Sequence, residues 1–144
     1  TPSGRHFWAA PFELGGEFGG LGVDPAPGIA LPPSRKVSAM AAQGNTTIAI
    51  VATDAALSKA QCHRVAVAAH DGIARAILPA HSPMDGDLVF AAATGARALQ
   101  DPGPQVTMIG HAASLCLSRA IARAIWEAEP REGDTLPTLK SELG

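Results

Sequence analysis

The amino-acid sequence predicts an α/β fold, with strand, helix, strand and helix following one another from Thr46 onward. Three observations carry this. "TTIAIVAT" and "LVFAAATG" are short apolar runs bounded by turn-forming residues, the first rich in β-branched side chains, as strands are. The segments that follow them are longer and repeat apolar residues at intervals of three and four, as helices with one buried face do. Two strands alternating with two helices make one sheet layer carrying helices, and such a layer needs further strands from elsewhere.

The elements follow in order. Residues 1–22 hold one apolar piece, "HFWAAPFEL", broken by Pro11, where a strand or edge element is expected, and then a flexible "GGEFGGLG". Phe7, Trp8, Phe12 and Phe18 stand out as aromatic residues that should pack against something. Residues 23–45, rich in Pro and Gly, predict an exposed connector. The first strand starts at Thr46, and residues 54–57 form a turn. Ser58 is placed to cap a helix over 59–78, ended by Pro79, with Val65, Ala68, Ala69, Ile73, Ala76 and Ile77 inward. Gly72 within it costs about 1 kcal/mol relative to Ala and points to close packing against a sheet. "AHSPMDGD" is a loop with Asp85-Gly86 as turn chemistry. The second strand follows it, then a loop over 96–105. A long helix over 106–130 turns Ile109, Ala112, Ala113, Leu117, Ala120, Ile121 and Ile125 inward, and the tail lies on the surface.

Composition narrows the function classes. The 144 residues are 47% hydrophobic and 17% charged, with a net charge of −2. That is globular composition, enough for one domain with a core. It offers no basic surface for nucleic acid, and no apolar run is long enough to span a membrane. The start "TPSGRHFWAA" has no secretory pattern, so the cytoplasm is the expected location. Cys62 and Cys116 read as buried free thiols, and no Cys/His spacing suggests zinc. No metal or other cofactor is expected.

The chemistry concentrates at two places. In "QGNTTIAIVAT" a loop runs into a strand through Asn45, Thr46 and Thr47. A Thr hydroxyl needs an adjacent base to act as a nucleophile. If the Asn45–Thr46 bond is cut, the freed α-amine of Thr46, titrating at about 7.7–8.0, stands beside its own hydroxyl and serves as that base. An ordinary strand start competes with this on the segment alone, as does the glycosylation pattern of Asn-Thr-Thr. In "HSPMDGDLVF", Asp85 and Asp87 lie two apart before a strand and would face one side, able to hold a cationic amine or share a proton. Solvated turn acids are the plainer alternative, and His81 makes only a loose third metal ligand. His70, within a helix, reads as a satisfied helix residue.

Taken in order, "FWAAPFELGGEFGGLG", "NTTIAIVATDAALSKAQCHRVAVAAHDGIARAI" and "HSPMDGDLVFAAATG" resemble the C-terminal part of a family of self-cleaving amide hydrolases. That family holds the L-aminopeptidase/D-esterases, the β-aminopeptidases and the nylon-oligomer hydrolases. The resemblance implies a four-layer α/β/β/α sandwich of the N-terminal-nucleophile kind, of which this chain supplies part. It implies a precursor cut between Asn45 and Thr46. Residues 1–45 then end the α part, and 46–144 form the β part with Thr46 first. Thr46 becomes the catalytic nucleophile, supported by Asp85 and Asp87. This Thr, Asp, Asp set is similar to that of the nylon-oligomer hydrolases, whereas aminopeptidase members use a Ser nucleophile with a Ser/Glu pair. The implied partners are the preceding α part of the same precursor, which carries an oxyanion-binding Asn and a Lys or Tyr, and a small amide or peptide substrate. The αβ units are expected to form a homo-oligomer. Alternatives are an acyltransferase similar to the ornithine acetyltransferases, whose Met-rich approach to the nucleophile "SAMAAQGNTT" lacks, and a non-catalytic binding module.

Overall fold

Two strands of one parallel sheet lie beneath a pair of packed helices in the computed structural model of the chain, which describes residues 1, 4–28, 46–83 and 85–143. Strand β1 (Ile48–Ala55) leads into helix α1 (Lys59–Ala74), which returns the chain to strand β2 (Leu88–Arg97) beside β1. Helix α2 (Pro102–Glu127) follows, and a single helical turn, α3 (Leu139–Leu143), closes the chain. The strands pair in parallel from Ile48 opposite Leu88 to Thr53 opposite Ala93, with a bulge beyond. The helix between two adjacent strands enforces this, because parallel neighbours need a crossover.

The local chemistry explains where the elements start. Ser58 caps α1 through a reciprocal box: its Oγ accepts from the Gln61 amide at 3.3 Å, and the Gln61 side chain accepts from the Ser58 amide at 2.8 Å. Helix α2 begins earlier than the sequence predicts. Pro102 and Pro104 stand in its first turn, where a missing N–H is no loss. The expected loop over 96–105 therefore shrinks to a few residues, and the expected turn at 54–57 gives up two residues to β1. Helix α1 ends at Ala74, short of Pro79.

One core joins the layers. Val65, Ala69 and Ile73 of α1, Val89 of β2, and Ala113 and Leu117 of α2 form it, with Ala49, Val51 and Ala91 of the sheet against them. The helices approach closely because glycine and alanine line the crossing. A Cβ on Gly72 would stand 2.4 Å from the Ser114 carbonyl oxygen, and one on Gly110 would stand 2.9 Å from the Ala68 Cβ. Gly72 thus packs against α2 rather than against a sheet. On α2 the buried set is Gly110, Ala113, Ser114, Leu117, Ser118 and Ala122, so Ala112, Ala120 and Ile125, expected inward, fall outside it. Cys62 and Cys116 are both free, but neither is buried as expected: Cys62 is half-buried and Cys116 is exposed.

The aromatic N-terminal segment does find a partner, without forming a strand. It makes a 3-10 turn at Ala10–Phe12 and docks on the far half of α2. Ala9, Phe18 and Ala122 are buried together, flanked by Phe7 and Trp126, with Phe7 and Phe18 edge to face at 5.3 Å. Gly19 admits the Trp126 ring, which would lie 2.9 Å from a Cβ there. The segment expected to be flexible is tied down: Glu17 forms a bidentate pair with Arg119 of α2, at 2.5 and 3.0 Å, and Glu13 accepts from the Phe18 and Gly20 amides.

Candidate active site

Thr46 is exposed and stands two residues before β1, at the end of the sheet where β2 also begins. Its side chain lies directly over Gly86. A Cβ built on Gly86 would come within 2.8 Å of the Thr46 Oγ1. The glycine of "DGD" therefore does more than turn the chain, because any larger residue there would press on the Thr46 hydroxyl. Backbone pairing extends to this end: the Leu88 amide donates to the Thr47 carbonyl at 2.8 Å.

Asp87 holds the neighbouring residue. Its Oδ1 accepts from the Thr47 amide at 3.0 Å, and its Oδ2 accepts from the His81 amide at 3.2 Å and lies 3.0 Å from His81 Nδ1. The side chain is only 3% exposed. Burial alone would raise its pKa. The Thr47 and His81 amides and the Thr47 hydroxyl donate to the charged form and outweigh burial, so the pKa lies below the ordinary Asp value despite the nearby negative charge of Asp85. Asp85 is held by Ser82 of the same loop. Its Oδ2 accepts from the Ser82 amide at 3.1 Å and the Ser82 hydroxyl at 2.8 Å.

The structure thus brings Thr46 and Asp87 to one place, across about forty residues of sequence, and folds Asp85 into its own loop beside them. Asn45 lies outside the described residues. Two residues of the site were not assigned this part by the sequence: Gly86, read as turn chemistry, and His81, weighed only as a loose metal ligand. Only the nearness of "H" to "DGD" could have signalled His81. Among the described residues no three His, Cys, Asp or Glu side chains converge as a metal site requires. No helix of the described residues is long and apolar enough to cross a membrane.

A lowered Asp87 pKa has a sign that can be checked. The unfolded chain binds the proton more readily, so the contribution of Asp87 to stability is complete above the ordinary Asp range and is lost as pH falls through the lowered folded-state value. Asp87→Asn should cost about 1–3 kcal/mol at neutral pH, the scale of an amide left facing the wrong group. The gap in thermal midpoint between wild type and variant should narrow as the solution is acidified. A gap that stays constant down to about pH 2 would contradict the ionised state.

A sequence model described as peptidase family S58 matches residues 15–137. The chain belongs to peptidase family S58. It is 41% identical to an uncharacterized aminopeptidase of Mycobacterium bovis, over 82% of this chain and 43% of that protein. It is 49% identical to an uncharacterized aminopeptidase of Mycobacterium leprae, over 65% of this chain and 28% of that protein. A putative NylC-analogous protein of Agromyces is 39% identical over 35% of this chain and 17% of its own length. This S58 chain therefore spans less than half the length of the curated relatives it matches. The family resemblance read from the three sequence blocks is borne out.

Proposed function

We propose that this chain is the catalytic end of an autoprocessed amide hydrolase in which Thr46 is the nucleophile. The observation that carries the reading is the Thr46 hydroxyl lying over Gly86, with the Asp87 carboxylate on the next peptide amide. Family membership and the aminopeptidase and NylC-analogous names of relatives support amide bonds as the target.

Two stages follow. In the precursor, the Thr46 Oγ attacks the Asn45 carbonyl carbon, the C–N bond breaks, and the acyl group moves from nitrogen to oxygen. Water hydrolyses this ester, leaving the Asn45 carboxylate and a free Thr46 α-amine. In turnover, that amine takes the hydroxyl proton as Oγ attacks a substrate amide, and gives it to the departing amine. A positioned base of this kind contributes on the order of 10²–10⁴-fold. Water then cleaves the acyl ester and releases the acid. Asp87 fixes the Thr46–Thr47 peptide, while Asp85 adds negative charge that favours an ammonium group on the substrate. Small peptides, amino-acid amides and ω-amino acid oligoamides are the substrates this chemistry suits. Oxyanion donors come from the preceding α part.

The surfaces support a larger sandwich. The sheet face away from the helices carries Ile48, Ile50, Leu88 and Phe90 at 71, 68, 44 and 54% exposure. Parallel sheets are covered on both faces, so a second sheet from the α part fits here. A groove of about 340 Å³ between β1 and α2, lined by Val51, Thr53, Ile109 and Cys116 among others, suits a further strand.

Intact-mass spectrometry of the full-length precursor tests the reading. Two chains are expected, the smaller beginning at Thr46. A single uncut chain with full amidase activity would overturn it.

A further inference from the structure

We infer that His81 is a positioning residue for the Thr46 chemistry, acting through Asp87; the inference rests on the nucleophile reading above. His81 holds a left-handed backbone, with φ of +55°. A non-glycine residue keeps this conformation only where its surroundings compensate. Here the compensation is visible. The backbone amide and ring Nδ1 of His81 close on the same oxygen of Asp87, Oδ2, at 3.2 and 3.0 Å. A carboxylate only accepts, so Nδ1 carries a proton and donates it. With Oδ2 held from two directions, Oδ1 is aimed at the Thr47 amide 3.0 Å away. That amide belongs to the peptide joining Thr46 to Thr47, so the grip on Asp87 orients the backbone from which the Thr46 hydroxyl projects.

The far side of the ring is braced as well. Nε2 lies 3.4 Å from the His70 carbonyl oxygen of α1, and the two imidazole rings are 5.3 Å apart. The relay therefore runs from the body of α1 through His81 and Asp87 to the head of β1. Nδ1 is spent on Asp87, which in turn holds the Thr47 amide, so the effect of His81 on Thr46 runs through the orientation of the backbone.

Three substitutions in the full-length precursor separate orientation from general structure. His81→Asn keeps a donor where Nδ1 stands and tolerates the left-handed backbone. His81→Asp matches it in size and backbone tolerance but presents an acceptor to Asp87. His81→Gly keeps the backbone amide and removes the side chain. The readout is the first-order rate of cleavage before Thr46 after cell-free synthesis, followed by intact mass, with thermal midpoints recorded alongside. His81→Asn should cleave within about threefold of wild type. His81→Gly should slow about tenfold or more, the fold-change that matches a lost hydrogen bond to a charged group, and His81→Asp should slow further. Equal rates for Asn and Asp, or a wild-type rate for Gly, overturn the inference while the wild-type chain still cleaves. A wild-type chain that stays whole, or a Thr46→Ala chain that still breaks there, overturns the nucleophile reading and this inference with it.

Discussion

Thr46→Ala should leave the precursor as one uncut chain and abolish amidase activity. In the proposed mechanism the same hydroxyl serves both stages, so its removal would block the cut and, with it, the α-amine that would act as base. The loss should be on the order of 10⁶ in kcat, the scale seen when other hydrolases lose a hydroxyl nucleophile. The fold should survive. Thr46 is exposed and precedes β1, and the contact that ties this end of the sheet together runs through the Thr47 amide and Asp87, not through the Thr46 side chain. Thr46→Ser keeps the hydroxyl and should still cleave. Activity retained by the Ala variant would remove Thr46 from the mechanism, whatever the state of the chain.

Gly72→Ala should destabilise the protein, although alanine is the better helix former. In an open helix the exchange gains about 1 kcal/mol. At Gly72 the new Cβ would stand 2.4 Å from the Ser114 carbonyl oxygen and 3.0 Å from the Leu117 Cβ, both on α2. A carbonyl within a long helix does not move aside cheaply, and overpacking of this kind costs roughly 1–3 kcal/mol or more. Steric cost should win, lowering the thermal midpoint by several degrees at about 2–4 °C per kcal/mol. Gly103→Ala in the first turn of α2 is the control, since nothing lies closer than 4.0 Å to its Cβ position. It should leave the midpoint unchanged or raise it slightly. A Gly72→Ala protein as stable as the control would mean that the helices can separate without penalty.

The same position shows how far local pattern reaches. Gly72 announces a close approach from sequence, because a helix tolerates the loss only for a reason. Which surface approaches it depends on α2, some forty residues away, and no periodicity in α1 encodes that. The N-terminal aromatics behave alike. Phe7 and Phe18 read correctly as anchors, but the Trp126 ring that fills the space at Gly19, and the Arg119 that binds Glu17, come from the far end of the chain. Helix α2 went astray at its start for a different reason: prolines that forbid a helix interior are harmless in a first turn, and 102–104 is that turn.

By itself the sequence determined what local chemistry can determine. Alternation of β-branched runs with three-and-four periodicity set the order of strands and helices, Ser58 marked the start of α1, and the resemblance of three blocks, "FWAAPFELGGEFGGLG", the one opening "NTT" and the one holding "DGD", pointed to the family and the candidate nucleophile. Only the tertiary structure decided which groups surround that nucleophile. Parallel pairing of β1 with β2 carries Gly86 under the Thr46 hydroxyl and Asp87 onto the Thr47 amide, while Ser82 holds Asp85 near enough for its charge to act on Asp87. His81 enters through a left-handed backbone and a carbonyl of α1. The physical reason is one of range. A cap or a period is written within a few residues, whereas the field around Asp87 is the sum of donors brought together from separate elements by packing.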